Sequence, residues 1–158
     1  MAPNRDFPHV LVMPEDEHNR EMANGFLMGL PSPNRQIQVL PSAGGWKKAL
    51  ETVSSQGLAS YPRRFLVLLV DFDRDPGRPE FAASKIPGEY RERVFVIGSL
   101  HEPKDLVVAG LGSREKIGLA LAEHCQHDTN DTWSTPQLQH DTAELARLRV
   151  PIRPILFP

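Results

Sequence analysis

The stretch Phe65-Leu66-Val67-Leu68-Leu69-Val70 runs without interruption into Asp71-Phe72-Asp73-Arg74-Asp75. An apolar run of strand length with charged residues at its end reads as a strand buried on both faces. Strands of that kind belong to parallel sheets covered by helices, because only there are both faces shielded from water. In such sheets the ligand-binding crevice lies beyond the carboxyl ends of the strands. Residues two apart on an extended chain point the same way, so Asp71, Asp73 and, if the extension continues, Asp75 converge. Converging carboxylates repel each other unless a cation lies between them. The expected ligand is therefore a hard divalent ion, Mg²⁺ or Mn²⁺.

The rest of the chain supplies the partners such a strand needs. His9–Met13 is a short apolar run followed by Pro14-Glu15-Asp16-Glu17, and Asp16 has the chemistry of a helix N-cap with acids in the first turn. Ala23, Phe26, Leu27 and Leu30 then recur at helical spacing. Gln36–Leu40 alternates like a strand, and Trp46, Ala49, Leu50 and Val53 mark a second helix. The third strand, Phe65–Val70, follows, and Arg93–Ile97 is the fourth. Between them lies a loop rich in Pro, Gly and charge, with a helical turn near Glu80–Ser84. Ser113 caps a helix whose apolar face holds Ile117, Ala120, Leu121 and His124, and Thr135-Pro136 starts a last helix through Leu138, Leu145 and Leu148. The tail from Val150 to Phe157 is broken by two prolines and is expected to pack on the body or form an edge strand.

Strand and helix alternating in this way predict an α/β fold: a Rossmann-like three-layer sandwich with a mainly parallel sheet of about four strands. Right-handed crossovers put the ends near Glu15 and Asp71 on one sheet edge. The 158 residues read as a single domain over 1–158, with a core at about 9–105 and a C-terminal helical extension at about 113–158.

Composition narrows the function classes. The formal net charge of -2 gives no bulk attraction to nucleic acid or to an acidic membrane. A single cysteine, Cys125, forms neither an internal disulfide nor a cysteine zinc site, which fits a reducing, cytoplasmic setting. No apolar stretch nears the roughly 20 residues of a membrane span, and the N-terminus lacks the apolar core of a signal peptide.

The acids form two groups at two strand ends. Asp16, Glu17 and Asp75 read first as capping residues, since acids near turns and helix N-termini accept backbone hydrogen bonds. Asp71 reads as functional, because a charge abutting a long apolar run is costly unless paired or metal-bound. Glu15 and Asp73 gain from its company. Ser42-Ala43-Gly44-Gly45 reads as a tight turn and lacks the Gly-Lys-Ser/Thr ending of a P-loop. His124 and His127 do not share a site with Cys125 if the segment is helical, and the cysteine reads as a small buried residue.

A strand ending in glutamate, a βαβ passage and a strand ending in Asp-x-Asp resemble the Toprim domain of topoisomerases, primases and certain nucleases. Over about residues 9–105, Glu15 matches the family glutamate and Asp71 and Asp73 match its Asp-x-Asp. Asp16 stands where the family usually has glycine, so Glu15 and Glu17 both stay in play as the site glutamate. Glu102 matches a further glutamate found after the fourth strand in the nuclease branch. The resemblance implies a Mg²⁺-dependent domain acting on nucleic-acid phosphodiesters. Glu15, Asp71, Asp73 and Glu102 are then metal ligands, with Glu15 also a catalytic acid/base. His18, His101 and Lys104 fall where a phosphate would lie. Toprim enzymes carry further domains to grip nucleic acid, so a homodimer or partner protein is implied for this chain.

The segment Glu15-Asp16-Glu17 with Asn19-Arg20-Glu21, together with Asp71 after the third strand, is also similar to a response-regulator receiver domain. That resemblance implies an acid pair for Mg²⁺ from Glu15, Asp16 or Glu17, phosphorylation of Asp71, and Ser99 as the family's hydroxyl residue. In that reading the chain is a non-catalytic receiver-like or Rossmann-like binding module, and Asp73 has no role.

Overall fold

The computed structural model describes residues 6–31, 36–72, 75, 77–98, 113–127, 129 and 142–157. Four strands, β1 (His9–Pro14), β2 (Ile37–Val39), β3 (Arg64–Leu69) and β4 (Val94–Ile97), form a single parallel sheet in the order β2-β1-β3-β4. The apolar runs therefore become the strands that sequence alone predicts. β1 is central: Val12 aligns with Val39 on one side and Val67 on the other.

Among the described residues, five α-helices cover the sheet: α1 (Glu17–Met28), α2 (Trp46–Glu51), α3 (Arg78–Ser84), α4 (Arg114–Gln126) and α5 (Thr142–Leu156). Alternate residues of the strands enter two separate cores. Val10, Val12, Phe95 and Ile97 pack with α1, α4 and α5. Leu11, Met13, Leu66, Leu68, Val70, Val94 and Val96 pack with Ala49 and Val53 on one side and Ala82 on the other, in the α2 and α3 layer. This is the three-layer α/β/α sandwich. From β1 the chain moves to β2 through α1 on one face. It then returns past β1 to β3, and on to β4, through α2 and α3 on the opposite face. Right-handed crossovers demand that change of face when the direction reverses. The reversal makes the gap between the carboxyl ends of β1 and β3 a topological switch point.

The α1–α4 crossing is unusually close because glycines line it. A Cβ on Gly118 would lie 2.0 Å from the Met22 carbonyl oxygen, and one on Gly25 2.1 Å from that of Glu115. Backbone meets backbone there, at a separation no side chain could enter.

Two elements differ from expectation. The tail from Val150 packs on the body, one of its two expected outcomes, but as helix rather than as a broken segment or an edge strand. It continues α5 through Pro151 and Pro154 to Leu156. A proline inside a helix costs about 3 kcal/mol. Against that, Leu145, Leu148, Ile152 and Leu156 are all buried on one face, each contributing about 1.5–3 kcal/mol. Tertiary burial overrides the local preference. Arg153 adds hydrogen bonds to the Cys125 and Gln126 carbonyls at the end of α4. The predicted start of this helix at Thr135-Pro136, with Leu138, lies outside the described residues. On α4 the buried face is Ile117, Gly118, Leu121, Ala122 and Cys125, so Ala120 and His124 turn further outward than expected.

At the amino ends of the strands, arginines bind carbonyls. Arg93 donates to the carbonyls of Leu58, Tyr61 and Arg64. Arg64 donates to the Gln56 carbonyl and, through Nε, to His9 Nε2 at 3.0 Å. His9 is fully buried and sits 2.9 Å through Nδ1 from the Phe7 carbonyl. Accepting at Nε2 leaves Nδ1 as the protonated nitrogen, so the imidazole is neutral in this arrangement. These basic groups are engaged at the edge opposite the acids.

Candidate functional site

The site forms where β1 and β3 end side by side. The β1–β3 ladder continues one residue past the strand, with the Glu15 amide donating to the Leu69 carbonyl at 2.8 Å. This register sets Glu15 beside the start of the acidic run. Its Oε2 accepts the Asp71 backbone N–H at 2.6 Å. The charge of Glu15 is thus tied directly to the end of β3. Such charge-assisted bonds are about twice as strong as neutral ones.

Asp71 is 5% exposed, which is rare for a carboxylate and demands compensation. Part of it comes from Asn19, a fully buried residue on the inner face of α1. The single Asn19 amide group donates to Asp71 Oδ1 at 3.3 Å and to Asp16 Oδ1 at 3.0 Å. Asp16 also accepts the Asn19 backbone N–H and is the N-cap of α1, as its position in the sequence predicts. One amide therefore joins the acid at the start of α1 to the acid at the end of β3. Its other atom, Asn19 Oδ1, is buried with no hydrogen-bond partner among the described residues.

The Ser42–Gly45 turn closes over the same edge. Gly44 and Gly45 donate their backbone N–H groups to the Glu15 carbonyl, and Ala43 donates to that of Pro14. Gly44 has φ 89° and Gly45 φ 149°, conformations that a side chain would strain. Ser42 Oγ donates to Glu17 Oε1 at 2.7 Å. Glu17 is thereby held at the surface beside Arg20, while Glu15 is the glutamate next to Asp71.

The remaining predicted residues divide clearly. Asp75 closes a turn, with Oδ1 accepting the Gly77 N–H at the start of α3. His18 is exposed on α1. Asp73 and Glu102, like Ser99, His101 and Lys104, lie outside the described residues. Cys125 is buried, and the neighbouring His124 faces Thr129 instead, at 2.9 Å. Among the described residues, no three His, Cys, Asp or Glu side chains group as a metal-holding set.

Asn19 is the residue to which sequence reasoning gives no task. Its signal is its spacing: it lies three and four residues before Met22 and Ala23, a polar residue on the buried stripe of α1. A polar side chain on such a stripe needs a buried partner, and here the partners are the two acids.

Family models, curated proteins and solved structures were all compared with the chain, and none matches. No helix among the described residues is long and apolar enough to cross a membrane.

Proposed function

We propose that the protein is a Toprim-like, Mg²⁺-binding domain that acts on nucleic-acid phosphodiesters. The observation that carries this reading is the juxtaposition of Glu15 and Asp71 at the switch point of a parallel sheet, where α/β folds bind their ligands. The donor chemistry suits a hard cation: two carboxylates on adjacent strand ends and a buried amide oxygen at Asn19 that has no partner among the described residues. Asp73 and Glu102 complete the proposed ligand set. Bound Mg²⁺ supplies Lewis-acid stabilisation of a phosphoryl oxygen. Glu15 and Asp71 hold the ion in this reading, and Asn19 orients the Asp71 carboxylate from behind.

The same geometry limits how strongly the fold depends on metal. Asn19 and the Asp71 amide already offset part of the negative charge. The chain is therefore expected to fold without a cation and to gain modestly from one. At ten times Kd the gain is about 1.4 kcal/mol, or roughly 3–6 °C in Tm for a chain of this size. Thermal unfolding with and without Mg²⁺ or Mn²⁺ should show that rise, and Asp71→Ala should abolish it. Divalent-dependent cleavage of an oligonucleotide, lost in the same variant, tests the reaction. A Tm indifferent to both ions refutes the proposal.

The strand order favours one alternative. Order β2-β1-β3-β4 is the beginning of the flavodoxin-type order shared by receiver domains. In that reading Asp71 accepts a phosphoryl group, and incubation with acetyl phosphate adds one phosphate to its mass. No mass shift eliminates it.

A further inference from the structure

The face formed by α2 and α3 carries an aromatic and cationic surface outside the crevice, with Trp46 half-buried against the core and Phe81 exposed. Trp46 and Phe81 meet edge to face, with ring centroids 5.9 Å apart and planes at 70°. Arg78 lies over the Trp46 ring at 4.5 Å, Lys47 approaches the same ring at 5.9 Å, and Lys85 lies 5.0 Å over Phe81. Phe81 is 48% exposed. Between the two helices runs a groove of about 370 Å³ lined by Trp46, Lys47, Leu50, Glu51, Phe81 and Lys85, among others. Its volume falls within the range of about 300–1,000 Å³ typical of ligand pockets.

Position adds meaning to the composition. Trp46 opens α2 directly after Gly44 and Gly45, whose amides bind the Glu15 carbonyl. Arg78 opens α3, which follows the end of β3 beyond Asp71 and Asp75. Both helices therefore begin at the carboxyl edge of the sheet and carry their rings and cations away from it. Glu51 is the carboxylate among the described groove residues, against Lys47 and Lys85 among the charges of the same lining. An exposed ring, Phe81, beside a half-buried one and with cations set around both, matches a ligand of stacked planar groups joined by anions. That is the chemistry by which single strands are held: bases stack on aromatic side chains and phosphates meet Lys and Arg. A duplex hides its base faces and cannot use the rings.

We infer that the α2–α3 face, through Trp46, Phe81, Lys47, Arg78 and Lys85, binds single-stranded nucleic acid and leads it to the Glu15–Asp71 edge. The inference rests on the nucleic-acid part of the function proposed above and adds the strand state of the substrate and the face that grips it. Because the chain has a formal net charge of -2, binding is weak and confined to low salt.

The test is fluorescence anisotropy with a labelled oligo-dT long enough to cover a site of roughly 4–16 nucleotides, at low ionic strength without divalent ions. The wild type binds the single strand in preference to a duplex of the same length. Phe81→Ala weakens binding roughly tenfold, and Lys85→Glu weakens it while flattening its salt dependence. Both positions are exposed, so both variants keep the fold, and circular dichroism verifies that. Trp46→Ala repeats the loss. No binding by the wild type, equal binding of the duplex, or unchanged binding by both Phe81→Ala and Lys85→Glu overturns the inference. Any of these with the Mg²⁺-dependent Tm rise intact sinks this inference alone. Loss of that rise with oligo-dT binding intact sinks the metal reading alone.

Discussion

Gly118→Ala is the most informative single perturbation of this fold. Alanine ordinarily improves a helix by about 1 kcal/mol over glycine. At Gly118 the added methyl would stand 2.0 Å from the Met22 carbonyl oxygen and 2.7 Å from the Phe26 amide nitrogen. Both are backbone atoms of α1, so no rotamer change relieves the clash. The helices must part by more than an ångström, and with them the packing of Met22, Ile117 and Leu121. Overpacking of this kind costs about 1–3 kcal/mol, occasionally more. The rigid, backbone-to-backbone geometry puts this site at the upper end. After the propensity gain, a net destabilisation of about 2 kcal/mol remains, or a Tm fall of about 4–8 °C. Gly88→Ala is the control, since no atom lies within 4 Å of the methyl it would add; it should be neutral or slightly stabilising. Urea denaturation followed by circular dichroism gives both values, with m unchanged if only stability moves. A Gly118→Ala variant as stable as the Gly88→Ala control would refute the close crossing.

Two further outcomes follow from buried polar contacts. His9→Ala deprives Arg64 Nε of its imidazole acceptor inside the protein and should cost about 2–4 kcal/mol in urea denaturation. His9→Gln, which can restore an acceptor, should recover part of that loss, and a silent His9→Ala would contradict the pairing. Asn19→Asp replaces the bridging amide with a third carboxylate, 3.0 Å from Asp16 and 3.3 Å from Asp71. It should destabilise the protein by about 2–4 kcal/mol at neutral pH. Burial between two acids raises the new acid's pKa in the folded state above its unfolded value, so the deficit relative to wild type should shrink as pH falls from neutral toward about 4, where the unfolded chain also takes up the proton. Equal deficits at both pH values would contradict the charge argument.

The parts of the fold that follow from local patterns were legible in the sequence. Val94–Ile97 is buried on both faces, Phe65–Val70 is buried on one and half-buried on the other, and both leave continuous apolar runs; Asp16 and Ser113 carry the chemistry of caps that they prove to be. What depends on distant partners was not. Gly25 and Gly118 look like helix weakeners until the helices are seen to cross, because glycine's disadvantage is local and its benefit is tertiary. Pro151 and Pro154 signal a break that the buried face of α5 overrides. At the candidate site, the crossover rule foretold position: the strand ends that carry Glu15 and Asp71 lie together on one sheet edge. Asn19 stayed hidden because only its bond to the Asp16 cap is local; the partner that ties it to the site, Asp71, lies beyond β2 and α2 at the end of β3.

The bond from the Asp71 amide to Glu15 also gives this protein a built-in reporter. A backbone proton held 2.6 Å from a carboxylate, heavy atom to heavy atom, is strongly deshielded, and its resonance follows the electron density on that carboxylate. Any ion, proton or substrate group that draws on Glu15 weakens the pull on the proton and moves its signal upfield. The end of β3 thus converts the electrical state of the crevice into a single backbone frequency, readable in solution without a label or an assumed reaction.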